Sequence, residues 1–201
     1  MPANRLDKAI RVLALAWTAA AIALGAALTS YHQPFQSPAI GDSKILALAS
    51  PPTKHQWRAI HILSGGCACS QRVMSHLLAR RPIPNIDEQI LLIDLENTGP
   101  ETYLPGSSNL IAQLKQSGFS ISHLSAASIP QDANLHGVPL LVLVSPANKI
   151  AYQGGYGPHS DQDTYLLTAV TQNTPTKPLP ILGCAIGAHL RRTLDPLHLK
   201  Y

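Results

Sequence analysis

Hydrophobic positions form one long block near the amino terminus. The stretch Val12–Thr29 has eighteen residues without a charge, close to the length that a helix needs to cross a membrane. Positive residues precede this stretch and the next one is Lys44, so the positive-inside rule leaves residues 1–11 in the cytoplasm. The stretch is longer than the apolar region of a cleaved signal peptide and lacks a clean small-x-small site, which favours an uncleaved anchor. We therefore predict a transmembrane helix over residues 12–30 in the inner membrane, with the rest of the chain in the periplasm.

The segment after this helix changes in character. Residues 31–54 are rich in proline, serine and glutamine, which is typical of an extended spacer rather than of packed structure. Its prolines are Pro34, Pro38, Pro51 and Pro52. We expect a folded domain over residues 55–174 and a C-terminal extension over residues 175–201 that carries Cys184.

Within the domain, apolar runs with strand and helix periodicity alternate. The second predicted strand, QILLIDL, is apolar enough to be buried on both faces. This order predicts an α/β fold with a mixed sheet flanked by helices. The predicted elements are a strand (Trp57–Leu63), a helix (Cys67–Arg80), a strand (Gln89–Leu95), a helix (Ser108–Gly118), a strand (Phe119–Leu124), a hairpin (Leu140–Val144 with Ile150–Gln153) and a helix (Ser160–Asn173).

Composition and charge exclude several functions. The chain has a formal net charge of +4, of which the segment before the apolar block supplies half, and aromatic residues make up 5%. No basic patch or base-stacking surface for nucleic acid is indicated. Motifs for hydrolases and phosphate-binding loops are absent from the sequence. A domain of this length can bury a core without disulfides, so its three cysteines indicate chemistry rather than scaffolding.

Two of these cysteines, Cys67 and Cys69, lie where a strand ends in Gly65–Gly66 and a helix begins. Unpaired backbone N–H groups and the helix dipole stabilise a thiolate at such a position. The thiolate is the species that attacks a disulfide. Two buried structural cysteines are the alternative, but a pair at one helix start favours a reactive site.

A further feature is Gly137-Val138-Pro139, which opens the predicted hairpin. Together with the cysteine pair and the closing helix, it resembles the thioredoxin-like superfamily over residues 55–173. The resemblance implies that Pro139 is cis and lies beside the cysteines. Thioredoxins have two residues between their cysteines, whereas this chain has one. A bridge between Cys67 and Cys69 therefore requires Cys67 to lie outside the helix and would be strained, which makes it a stronger oxidant.

The third cysteine, Cys184, follows a proline-rich spacer and is free to return toward the sheet edge as a resolving thiol. Simple packing of a lone cysteine is its alternative interpretation. Nearly the whole chain is similar to the membrane-anchored RedB-like group, which implies a thioredoxin-like fold and a redox role. The residues that carry this similarity are Cys67, Cys69, Ser70, Gly154, Gly155, His159, Gly183 and Cys184.

Two functions remain open. One is a thiol–disulfide oxidoreductase without a cofactor, which acts on protein thiols or disulfides through Cys67, Cys69 and Cys184, with Pro139 beside them. The other is a copper-binding module, in which the same cysteines and His159 hold Cu(I). A redox-inert adaptor is a third, weaker interpretation. His61 is expected to be a hydrogen-bonded sheet residue rather than a ligand, and His136 is expected near the cysteine end of the sheet.

Overall fold

The order of helices and strands follows the alternation seen in the sequence. A computed structural model describes residues 3–30, 34–37, 44–49, 55–95, 103–130, 133, 135–172 and 174–194. The chain divides into two units, one built on α1 and one spanning Pro34–Arg191 that holds the sheet. The elements are α1 (Ala3–Ser30), α2 (Lys44–Leu48), β1 (Trp57–Leu63), α3 (Ala68–Arg80), β2 (Ile86–Asp94), α4 (Ser107–Gln116), β3 (Ser120–Ser125), β4 (Gly137–Val138), β5 (Leu140–Val144), β6 (Ile150–Gly154), α5 (Gln162–Thr171), β7 (Cys184–Ala185) and α6 (Ala188–Leu194).

Helix α1 contains a candidate membrane span. Its stretch Asp7–Gly25 is long and apolar enough to cross a membrane, and none of it is buried within the protein. A signal sequence near an amino terminus has the same length and composition. Helix α1 is therefore a membrane anchor or a signal sequence.

The sheet is mixed, as the sequence predicts. Its five strands lie in the order β3-β2-β1-β5-β6, with β1, β2 and β3 mutually parallel and β5 antiparallel to both β1 and β6. The carboxyl ends of β1, β2, β3 and β6 therefore meet the start of β5 at one edge. The loops that follow Leu63 and precede Leu140 come together at this edge.

One face of the sheet, which we call the helical face, is covered by α3, α4 and α5. These helices bury their apolar stripes against alternate side chains of the strands. The packed core of this face includes Leu63, Val73, Met74, Leu77, Ile90, Leu92, Leu114, Leu141, Leu143, Leu166 and Val170.

The other face, which we call the cysteine face, is covered by short segments rather than by long helices. Strand residues such as Ile60, Leu91 and Val142 pack there against Ile45, Ile181 and Cys67. The strands are apolar on both sides, so this face has to be shielded from water as well. Pieces from both ends of the chain shield it.

This covering changes the interpretation of the predicted spacer. Phe35 forms a β-bridge with Ile181, and Ile45 in α2 is completely buried. The expectation that residues 31–54 form only an extended spacer is thus wrong for 34–37 and 44–49, because their apolar side chains cover the cysteine face. The remaining residues of that range lie outside the described part of the chain. In the extension after residue 174, Ile181 and Ala185 are likewise buried, whereas Pro175, Lys177 and Pro178 are exposed.

Candidate active site

Cys67 begins the site at the junction of β1 and α3. It is the residue before the first helical turn and has an extended backbone, with φ −119° and ψ 119°. Its carbonyl accepts the N–H of Gln71 at 2.9 Å, and its own N–H donates to the Ser64 carbonyl at 3.2 Å. The side chain is completely buried. Cys67 therefore lies outside the helix, as a bond to Cys69 requires.

The other two cysteines reach Cys67 from different parts of the chain. Cys69 lies in the first turn of α3, and Cys184 lies on β7, opposite Val138 of β4. Both are half-buried, and the thiols of both are hydrogen-bonded to the thiol of Cys67. The structure thus brings together all three cysteines that the sequence singles out, and no disulfide joins them.

The turn before β5 completes the site. The Val138–Pro139 peptide bond is cis, as the resemblance to the thioredoxin-like superfamily implies, and the carbonyl of Val138 lies 3.8 Å from Cys67 Sγ. A mixed sheet of this order, with two cysteines at the start of the helix after β1 and a cis-proline beside them, decides the fold. The fold is thioredoxin-like.

Gly183 lets β7 approach the turn at Val138 and Pro139 closely. A Cβ atom on Gly183 would lie 1.9 Å from the Val138 carbonyl oxygen and 2.7 Å from Pro139 Cδ. No other residue fits without moving the backbone. Gly183 therefore sets how closely the Cys184 segment packs against the turn and, through it, against Cys67.

The surroundings of Cys67 favour its thiolate. Hydrogen bonds from the thiols of Cys184 and Cys69 hold the pKa of Cys67 well below its usual value, and Ser70 acts in the same direction. Burial opposes this effect because it disfavours a charge. The hydrogen bonds dominate, so the thiolate form of Cys67 is favoured.

The sequence does not predict the aromatic residue that holds the cysteine turn. The ring of Tyr103 lies against Gly65, where an added Cβ would come within 2.5 Å of it. The N–H of Leu104 donates to the Gly65 carbonyl at 2.9 Å. The hydroxyl of Tyr103 donates to Asp94 at 2.7 Å. Tyr103 and Leu104 therefore stabilise the turn that precedes Cys67.

A buried ionic network on the helical face is also not predicted. Arg80 contacts both Glu88 and Asp163, each at 2.6 Å, and Asp163 accepts a hydrogen bond from His76 at 2.9 Å. His61 contacts Glu88 at 3.0 Å and the Tyr156 hydroxyl at 2.5 Å. The expectation that His61 is a satisfied sheet histidine is confirmed. Its partners come from distant elements, so no spacing in the sequence indicates them.

His159, the candidate copper ligand, and His136, expected near the cysteine end of the sheet, have different surroundings from His61. His136 and His159 are exposed. Within the described ranges, no group of three or more histidine, cysteine, aspartate or glutamate side chains has the geometry of a metal site.

Comparison with known proteins finds similarity in solved structures alone. No family model and no curated protein matches the chain. An uncharacterized conserved protein from Geobacillus kaustophilus has a TM-score of 0.49 at 12% identity, with 77% of this chain and 90% of that chain covered. The thioredoxin-like superfamily protein SPOA0173 has a TM-score of 0.41 at 13% identity, with 73% and 97% covered.

A third similar structure is a secreted Mycobacterium tuberculosis disulfide oxidoreductase described as homologous to E. coli DsbE. It has a TM-score of 0.41 at 11% identity, with 59% of this chain and 83% of that chain covered.

Proposed function

We propose that the protein is a thiol–disulfide oxidoreductase that acts through Cys67 and Cys69, with Cys184 as a resolving thiol. The observation that supports this function is the convergence of three thiols on one stabilised thiolate. A lowered thiol pKa raises the fraction of the attacking species at neutral pH. A second thiol within reach then releases the mixed disulfide.

The proposal extends to location and group. Helix α1 would anchor the chain in the inner membrane and leave the thioredoxin-like domain in the periplasm, where disulfides persist. The similarity to the RedB-like group, carried by Cys67, Cys69, His159 and Cys184, belongs to the same proposal. The partners would be protein thiols or disulfides.

The test uses the full chain in detergent micelles. Titration with a glutathione redox buffer, followed by thiol blocking and mass spectrometry, should give one two-electron transition in wild type. Cys67→Ala should abolish that transition. Absence of any intramolecular disulfide in wild type at every poise would contradict the proposed function.

Location has its own test. Membranes from cells that make the full chain should retain it after alkaline carbonate washing. Protease added to spheroplasts should digest the domain while α1 remains in the membrane. Release of the domain by the carbonate wash would instead identify α1 as a cleaved signal sequence.

The copper alternative with Cys67, Cys69, Cys184 and His159 is tested in parallel. Thiolates suit Cu(I), so anaerobically purified wild type would hold more copper than Cys69→Ser if this alternative held. Equal copper content in the two proteins would reject binding by the cysteines.

A further inference from the structure

Burial separates the roles of the three thiols. Cys67 is completely buried, whereas Cys69 and Cys184 are each half-buried. Exchange requires a thiolate sulfur to approach a partner disulfide directly. A protein disulfide therefore meets Cys69 or Cys184 before it meets Cys67.

The two half-buried cysteines, Cys69 and Cys184, differ in the backbone that surrounds them. Cys184 lies on β7 between Gly183, which is pressed against the Val138 carbonyl, and Ala185, which is completely buried. The next residue, Ile186, donates its N–H to the His136 carbonyl at 3.0 Å. The backbone around Cys184 is thus held in place on the β4 edge, close to Cys67.

Cys69 lies on a helix, whereas Cys184 lies on a strand. Cys69 lies in the first turn of α3, the thirteen-residue helix that follows β1, where backbone N–H groups lack helical acceptors and favour a thiolate. Its sulfur is within hydrogen-bonding reach of Cys67. Cys69 is therefore placed to meet a partner and to pass a bond on to Cys67.

We propose that Cys69 exchanges with the partner, that Cys67 moves the disulfide inward, and that the bond comes to rest between Cys67 and Cys184. This assignment rests on the proposed function, because it orders the steps of thiol–disulfide exchange. It also selects one of the two disulfides that Cys67 can form.

The steps balance as the reduction of one partner disulfide. The Cys69 thiolate attacks the partner disulfide, which forms a mixed disulfide and releases one partner thiolate. The Cys67 thiolate attacks the Cys69 sulfur, forms the Cys67–Cys69 bond and releases the second partner thiolate. The Cys184 thiolate attacks the Cys67 sulfur, forms the Cys67–Cys184 bond and releases the Cys69 thiolate. Two electrons pass to the partner, which takes up the protons that Cys67 and Cys184 lose.

The connectivity of the chain favours the Cys67–Cys184 bond as the final disulfide. Cys67 and Cys184 belong to segments far apart in sequence, and a cross-link that closes a long loop restricts the unfolded chain most. A bond between Cys67 and Cys69 closes a very short loop with constrained geometry. The Cys67–Cys184 bond is therefore the more stable of the two.

The first experiment maps the disulfide. The full chain in micelles is oxidised with oxidised glutathione, blocked with an alkylating reagent and digested for mass spectrometry. We expect a Cys67–Cys184 bond and an alkylated Cys69 in wild type. Cys184→Ser should instead accumulate the Cys67–Cys69 bond. A wild-type protein with a Cys67–Cys69 bond and an alkylated Cys184 would overturn the order of steps while leaving the proposed function intact.

The second experiment measures where exchange begins. Cys69→Ser should still form the Cys67–Cys184 bond but at least about tenfold more slowly, because direct access to the buried sulfur limits the rate. Ser75→Ala, an exposed position on the same helix, is the matched control and should keep the wild-type rate. An unchanged rate in Cys69→Ser would overturn the role of Cys69.

A trapping variant completes the test. Cys67→Ser removes the thiol that resolves the mixed disulfide, so glutathione should remain attached to Cys69 rather than to Cys184. Circular dichroism checks that each variant is folded. Glutathione on Cys184 alone would assign first contact to that thiol. Failure of every variant and of wild type to form any disulfide would instead contradict the proposed function itself.

Discussion

The helical face and the cysteine face of the same sheet handle buried polar groups in opposite ways. On the helical face, the buried carboxylates of Glu88 and Asp163 share the half-buried guanidinium of Arg80. On the cysteine face, Cys67 is a buried ionisable group that is held by two thiols and lies near a carbonyl. Removing one partner of a buried ion pair lowers the stability of the fold. A buried ionisable group that has no counter-charge is instead available for chemistry. The difference assigns stability to one face and reactivity to the other.

The comparison predicts its largest effect at Arg80. Arg80→Met leaves the carboxylates of Glu88 and Asp163 without their shared cation, so the free energy of unfolding should fall by about 3 to 5 kcal/mol. Urea denaturation of the full chain in micelles measures it. Arg72→Met, an exposed arginine on the same helix, is the matched control and should change stability by less than about 0.5 kcal/mol. Similar losses in both variants would show that the network does not stabilise the helical face.

Acid should destabilise the helical face through Glu88. Burial would raise the pKa of this carboxyl, but hydrogen bonds from His61 and Arg80, together with their charges, lower it to about 2. The lowered pKa contributes stability that is fully present above the unfolded value of 4.5 and is lost as pH falls through about 2. The contribution is about 3 kcal/mol.

Urea denaturation between pH 6 and pH 2 checks the contribution of Glu88. Glu88→Gln should be less stable than wild type at pH 6 and should lose less stability on acidification. Parallel pH profiles in the two proteins would contradict the role given to Glu88.

On the cysteine face, the neighbouring thiols should control the charge of Cys67. Cys184→Ala removes the main hydrogen bond that lowers the pKa of Cys67, so the pKa should rise. Cys184→Ser keeps a hydroxyl donor and should raise it less. Thiolate absorbance near 240 nm of the reduced protein as a function of pH measures both shifts, with Cys67→Ala subtracted as the blank.

The thiolate of Cys67 also makes stability depend on pH. Because its folded pKa is lowered, its contribution is complete above the pKa of the unfolded thiol and is lost as pH falls through the folded pKa. An absorbance midpoint for Cys67 unchanged by Cys184→Ala would contradict the hydrogen bond from Cys184.

A smaller effect is expected at the turn before Cys67. Gly65→Ala places a methyl group against the ring of Tyr103 and should cost about 1 to 3 kcal/mol. The same substitution in a Tyr103→Ala background should cost much less, because the ring is gone. A double-mutant cycle from urea denaturation measures the difference. Equal costs in the two backgrounds would show that Tyr103 does not hold the turn.

The smallest effect should be at Gln153 on β6. Gln153 is completely buried, and neither of its amide atoms has a hydrogen-bond partner among the described residues. Gln153 pairs with Val142 and so faces the cysteine side. Gln153→Leu should raise the free energy of unfolding by about 1 kcal/mol, because an unsatisfied buried amide is costly. Gln153→Ala separates this effect from packing, and a strong loss in the leucine variant would contradict it.

The sequence predicts the elements that local signals define. Glycines after β1 and the helical spacing after Cys67 locate the cysteines, and Gly137-Val138-Pro139 locates the turn. That its peptide bond is cis is implied by the resemblance to thioredoxin-like proteins. Strand β2 starts earlier than predicted, at Ile86, because it pairs with β1 from Trp57 onward. This pairing is a tertiary effect. Polar residues at the start of β2, such as Asp87, conceal it in the sequence.

Contacts between residues far apart in the chain leave weaker signals in the sequence. The network of Arg80, Glu88 and Asp163 joins α3, β2 and α5, and nothing in their spacing shows that they meet. The cover of the cysteine face had one indication in the sequence. A strand that is apolar on both sides requires cover on both sides, and Ile45 and Leu46 supplied apolar residues inside the predicted spacer.

The bridge between Phe35 and Ile181 has a practical consequence for anyone who wants the domain in water-soluble form. A shortened protein that starts at residue 55 would lose Phe35 and Ile45, and the apolar side chains beneath them would meet solvent and promote aggregation. A version that starts at Pro34 keeps both residues and leaves out α1 entirely.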